Sequence, residues 1–535
     1  MRYVNPSCRR RHRQPWLCVA RVGLLVLAMV AGGQVIGASD LADAVERQDR
    51  AAIRLLLSGG YDVNRAQPDG ATALAWAAHW DDIELVRRLF VAGADANLAT
   101  DLRVTPLMLA SANGSGAVVA ELLAAGADPN ASRATGDTAL MLAARAGSAV
   151  AARALLDHGA RVDAPTSAGA TALMWAAAEH HLAVLDLLIA RGAALDARTS
   201  LTKRAGRPGG VVREAKVLSE FEAVNPAVLP RDGDRDPPRP EGGFTPLLYA
   251  TLVGNTEGAV ALLEAGANVN ESAPDGVTAL MLALTKRHEL LALELLARGA
   301  DPSRVEAGYG ALHVASSTGQ IRAVSAMLEA GADPNARMER PQRLTNAFEI
   351  GVYTSPGSGR LTQIGSTPFL VAAKVADAPI MELLVEAGAD PFLTTDDGTT
   401  ALMMAAGLGK RAAQEITYYE WTEPRAIDAL SVALNRGLDI NVANEHGETA
   451  LHAVAYHNAN DVIRFLIGVG AQIDALNAAR QTPLRIAEGH LICCTTFVRH
   501  DEAAGVFRDL GADDAVGAQL TFGLTAFGDD AEEAR

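Results

Sequence analysis

Apolar positions recur along this chain in paired short bursts, most clearly over residues 69–101, DGATALAWAAHWDDIELVRRLFVAGADANLATD. Leu74, Ala77 and Ala78 fall on one face of a short helix that follows Thr72. Thr suits the N-cap, where its hydroxyl accepts from backbone N–H groups that the first turn leaves unpaired. After the polar Asp81 and Asp82, the residues Ile83, Val86, Leu89 and Phe90 recur at helical spacing and predict a second helix. Gly93 ends that helix at a site suited to positive φ, and residues 94–97 lead into a turn. Neither helix can bury its stripe alone, so copies of the pair must stack.

The copies follow in register. Thr72, Thr105, Thr138 and Thr171 stand 33 residues apart, and the marker returns at Thr245, Thr278, Thr367, Thr400, Thr449 and Thr482, with Gly310 once in its slot. Pro106, Pro246, Pro368 and Pro483 directly follow the marker, where a helix needs no amide hydrogen. Five positions after the marker stands a small Ala, Val454 being the exception, as close helix approach requires. Segment 39–64 lacks the marker, and only a second helix with its Gly60 turn is expected there.

The elements T-A/P-L, A-A and G-A-D-x-N appear as Thr138-Ala139-Leu140, Ala143-Ala144 and Gly331-Ala332-Asp333-Pro334-Asn335. They resemble the signature of the ankyrin-repeat family over most of residues 39–514. The resemblance implies an all-α fold, an α-solenoid of about twelve helix-turn-helix units with β-turn or hairpin loops between them. The sequence departs from the family at the His three positions after the Thr, which survives only as His313 and His452. Met108, Met141, Met174, Met281 and Met403 hold that slot elsewhere, so apolar packing is expected to replace hydrogen bonds there.

Enlarged spacings between markers place three insertions, at 200–242, 341–364 and, inside a unit, 410–436. Units one to five then occupy 39–199, six to eight 243–340 and nine to twelve 365–514, ahead of an acidic tail, 515–535, expected to be disordered. The first insertion carries Pro208-Gly209-Gly210 and a Pro/Asp/Arg-rich run and reads as a mobile loop, with one amphipathic helix at 211–224.

Residues 1–38 differ in kind. Arg9, Arg10, Arg11, Arg13 and Arg21 precede an apolar run, 22–33, and small residues up to Ala38. This is the order of a secretory signal and predicts export to a periplasm or beyond. The second reading is retention as a membrane anchor through residues 22–38, although the run is shorter than the ~20 residues that span a bilayer. Loss of 1–38 removes six Arg and no acid, taking the formal charge from −16 to −22. So acidic a chain lacks the basic stripe that nucleic acid requires. The expectation is a monomer with one or more protein partners, no nucleic acid and no stable membrane insertion after signal cleavage.

The search for chemistry finds little. No H-E-x-x-H, G-x-S-x-G or complete phosphate loop is present, and Gly407-Leu408-Gly409-Lys410 lacks the upstream Gly and the following Ser/Thr. Asp232, Asp234 and Asp236 alternate like a calcium loop, but Pro237 takes the place that needs Gly. Cys8 and Cys18 leave with the signal, and the adjacent Cys493 and Cys494 make no disulfide scaffold. With His490 and His500 they form the one cluster of metal-like residue types, at a spacing that matches no common zinc pattern. The sequence therefore predicts no enzyme, no cofactor, and no catalytic or metal residues, with a weak metal or redox site at Cys493, Cys494 and His490 as an alternative.

The function expected is a protein–protein interaction module or scaffold that binds through the concave solenoid face and loop tips. An accessory or chaperone-like subunit of an extracytoplasmic enzyme is the other alternative. Aromatics are only 4% of the chain, so their places matter. Trp76, Trp175 and Tyr249 share the slot four after the marker, and core packing is expected for them. Trp80, His180, Tyr418, Tyr419 and Trp421 fall in loops or in the third insertion and are the candidate contact residues, because Trp and Tyr are enriched at binding hot spots. The rival reading of Trp421 is that it folds back over the solenoid.

Overall fold

The computed structural model describes residues 40–203, 240–340, 363–408, 421–492 and 496–517. The expected signal at 1–38 lies outside these, as do the predicted helix at 211–224, the three aspartates of the calcium-like run and the tail from 518.

Most units are built as the marker predicts, although Thr171 and Thr449 make no side-chain cap bond. Thr72 has extended backbone, and its hydroxyl accepts from the Ala75 amide (3.2 Å) at the head of helix Ala73–His79. Thr105, Thr138, Thr245, Thr278, Thr367, Thr400 and Thr482 cap their helices in the same way. Pro106, Pro246, Pro368 and Pro483 open theirs. The second helix, Ile83–Val91, is capped by Asp82, whose carboxylate accepts from the Leu85 amide (3.0 Å). Among the described residues the helices number twenty-four and follow one another as such pairs.

Stacking covers the small apolar faces. Ala77, Ala110, Ala143 and Ala176, at the slot five after the marker, are fully buried, and each first helix lies against the next. First helices pack more extensively on one another than second helices do, the arrangement that places first helices on the inner side of a solenoid. Between units runs a ladder of side-chain amides. Asn64, Asn97 and Asn130 each donate to the carbonyl of the glycine that ends the next unit's second helix and accept from a backbone amide two residues beyond it. A second ladder follows the loops between helices, where the Ser148 hydroxyl donates to the Gly114 carbonyl (2.8 Å) and the Asn255 amide to that of Ala177 (2.8 Å).

The insertions leave this stack continuous. Helix Ala172–Ala178 packs on helix Pro246–Val253, and Thr202–Lys203 pairs antiparallel with Pro240–Glu241 at the base of the first insertion. Asn335 reaches past the second insertion to donate to Gly388 (3.0 Å) and to accept from the Asp390 amide (2.7 Å).

Two expectations need correction. Segment 40–58 holds both helices of a unit, Asp40–Glu46 and Arg50–Ser58, because Leu41, Ala42, Ala44 and Val45 supply a buried face without the Thr cap. Within 410–436, residues 423–435 are helical rather than inserted: Ala426, Ala429, Leu430 and Ala433 lie at helical spacing and are buried, making Glu423–Asn435 the second helix of its unit. The last unit is lengthened between its helices by an antiparallel hairpin of His490–Ile492 with Thr496–Val498.

Candidate protein-binding surface

Because positions one, two, three, five and six after the marker face the core in helix Ala73–His79, position four is left at the edge of the inner surface. Trp76 and Trp175 pack against the core from that edge and stay half-buried, and Tyr249 in the same slot is half-buried as well. The Trp76 indole N–H donates to Gln67 Oε1 (2.7 Å), whose amide in turn donates to Asp43 (2.7 Å) and Glu46 (2.8 Å). Trp80 stacks on Trp76 with centroids 6.3 Å apart and planes 21° apart, and stays 43% exposed. His79 meets both rings edge-on, and burial pushes its imidazole pKa down. Further along, the Arg145 guanidinium lies 5.5 Å from the centre of the Trp175 ring, and Tyr249 packs against Phe244 at 5.7 Å. In later units Leu282, Val314, Val371, Met404 and Ile486 fill the slot and are buried. Leu109 and Leu142 hold the slot in the two units between Trp76 and Trp175, and the aromatics of this slot are confined to the first half of the stack. Sequence reasoning found the slot but read it as core, since spacing alone does not show which edge of a short helix a neighbour leaves uncovered.

His180 is exposed and left-handed (φ 61°) in the loop between helices. Its neighbour His181 is held by the Arg145 carbonyl, 3.1 Å from Nε2. Trp80 and His180 lie in units three places apart, about 30 Å along the stack at the usual 8–10 Å helix spacing. Trp421 is turned inward: its indole N–H donates to the Ala405 carbonyl (3.1 Å), and its ring lies 6.1 Å from that of His457. Tyr418 and Tyr419 lie outside the described residues, as do Cys493 and Cys494. His490 opens the last hairpin, and His500, half-buried, has its pKa lowered by that burial. Among the described residues no three His, Cys, Asp or Glu side chains are grouped to hold a metal ion, and no helix is long and apolar enough to cross a membrane. The inner surface offers rings, amides and separated charges, which suit recognition by contact.

Comparison with known proteins agrees with this architecture. A model of tandem ankyrin repeats matches residues 41–133, 118–199, 219–306 and 247–338, and a single-repeat model matches 446–478. The chain is 27% identical over 266 residues to the E3 ubiquitin-protein ligase KEG of Arabidopsis thaliana, covering 46% of this chain and 16% of that protein. It is 31% identical over 170 residues to the nuclear factor NF-kappa-B p105 subunit of Gallus gallus, covering 31% and 15%. Over 109 residues it is 30% identical to NF-kappa-B inhibitor alpha of Sus scrofa, covering 20% and 32%. The chain therefore spans less than a third of the length of these relatives. With matching repeats over more than half its length, it belongs to the ankyrin-repeat family.

Proposed function

We propose that this chain is a protein-interaction module without catalysis of its own, a stack of twelve ankyrin units that binds a partner through the inner surface and the loop tips. The observation that carries the reading is the exposed Trp80 stacked on Trp76, with the half-buried Trp175 and Tyr249 in the same slot as Trp76 further along the first helices. Stacked rings on a rigid scaffold bring contact area at little entropic penalty, and binding energy concentrates at such anchors. The relatives include an inhibitor of NF-kappa-B by name, which supports binding as the general mode. The tripartite pattern of residues 1–38 supports export, and on that reading the partner is extracytoplasmic, whether an enzyme served as an accessory subunit or another protein.

Cross-linking in the native cell, then purification of the chain and mass spectrometry, tests this directly. One stoichiometric extracytoplasmic partner, with the chain recovered from residue 39 onward, is the expected result. Recovery of the chain alone with residues 1–38 retained would overturn both parts.

A further inference from the structure

Beside Trp80 lies a groove of about 340 Å³ between the first two units. Most of its accessible lining is polar, from Gln48, Arg50, Asp81 and Asp82, and the exposed Trp80 side chain is its main apolar part, over the buried Val45, Ile53 and Leu85. Asp81 and Asp82 stand at its rim. Asp81 Oδ1 accepts from the Ser115 hydroxyl, and Asp82 Oδ1 accepts from the Leu85 amide (3.0 Å), so both carboxylates are held in place by the fold. Asp81 is itself left-handed (φ 59°), which fixes the turn that presents the pair. Arg50 is the single basic residue in the lining.

Resting on the reading of this surface as a partner-binding face, we propose that the groove takes a Lys or Arg side chain of the partner protein. The groove is large enough to admit a long side chain, whose alkyl stem lies on the exposed Trp80 ring while its charged head meets Asp81 and Asp82. An indole face beside carboxylates favours a cation twice over, through the ring quadrupole and through charge. The charge of the whole chain points the same way: −16 over all residues and −22 without 1–38, it attracts basic surfaces and repels acidic ones.

Binding of a fluorescently labelled oligolysine peptide to the full chain, read by anisotropy against an oligoglutamate of equal length, tests the assignment. Oligolysine should bind saturably and more weakly as NaCl is raised toward ~0.3 M, where exposed charges are screened. Oligoglutamate should not bind. Trp80→Leu, and separately Asp81→Asn with Asp82→Asn, which keep their hydrogen-bond acceptors, should each weaken oligolysine about tenfold with unchanged melting temperature. Absence of oligolysine binding, or wild-type affinity in both variants, overturns the proposal. The cross-linked native partner separates the two readings: a partner recovered equally with wild type and with both variants removes the cation site but leaves the interaction module standing. Recovery of no partner at all removes the module.

Discussion

At the scale of single residues, the two surviving histidines hold a group that the Thr caps leave alone, the amide of the cap residue itself. His313 Nδ1 accepts from the Gly310 amide (3.2 Å), where there is no hydroxyl to cap the helix, and its Nε2 meets the Ala336 carbonyl (2.9 Å) and that of Ser366 (3.1 Å). His452 repeats the arrangement with the Thr449 amide (3.2 Å) and the Gln481 carbonyl (3.1 Å). Burial pushes both imidazoles down to about 4 from the ordinary 6.5. Below about pH 6.5 the unfolded chain takes up protons that the folded chain refuses until about pH 4, so stability is complete above that window and falls as pH falls through it, at up to ~1.4 kcal/mol per pH unit for each ring. Urea unfolding at pH 7 and at pH 4.5 should therefore show a larger loss for wild type than for His313→Gln with His452→Gln. A second prediction concerns the left-handed residue that stands nine positions after most markers. Gly147 and Gly254 occupy that slot at ease, whereas Ala376 holds φ 54° while buried. Ala376→Gly should raise stability by about 0.5–1 kcal/mol, seen as a higher melting temperature, because it removes the steric penalty of that backbone.

At the scale of the element, the turns decide how tightly units stack. Gly136 is left-handed (φ 86°), and a Cβ there would lie 2.8 Å from Thr166 Cα in the next turn, whereas Gly93, also left-handed (φ 90°), faces open space. Gly136→Ala should cost several kcal/mol and Gly93→Ala about 1–2, measured by thermal or urea unfolding, since only the first adds a backbone clash to the strain. Trp421→Ala should lower the melting temperature, because its indole ties residue 421 to Ala405 beneath it. Equal stability with weaker partner binding would restore it as a contact residue. The helix pair, its Thr cap, its Pro opening and its Gly end were all legible, because each rests on local backbone chemistry. Two elements were hidden for opposite reasons. Helix Asp40–Glu46 has the apolar face but no marker, while Glu423–Asn435 has the face at a spacing from Thr400 that the counted period did not allow. The half-exposed edge that carries Trp76, Trp175 and Tyr249 was hidden as well, since it is set by how one unit covers the next. The partners of Asn64, Asn97 and Asn130 belong to the following unit and cannot be read from their own.

At the scale of the whole molecule, stability is a sum over neighbours, since each pair of helices touches only the pairs beside it. Charge pairs such as Arg87 with Glu121 (2.7 Å) and Arg191 with Asp157 (2.7 Å) bridge successive second helices, but at the surface each is worth no more than ~1 kcal/mol. The buried faces of the first helices carry the stack. Two junctions join units that are far apart in sequence: Asn255 with Ala177, and Asn335 with Gly388 and Asp390. At those places the covalent chain and the structural order part company. A chain expressed as two pieces, cut between residues 203 and 240, should consequently reassemble through the surface where helix Pro246–Val253 meets helix Ala172–Ala178 and co-elute as one species. What makes this protein a single object is the contact between its units, which at these two junctions holds across long intervals of sequence.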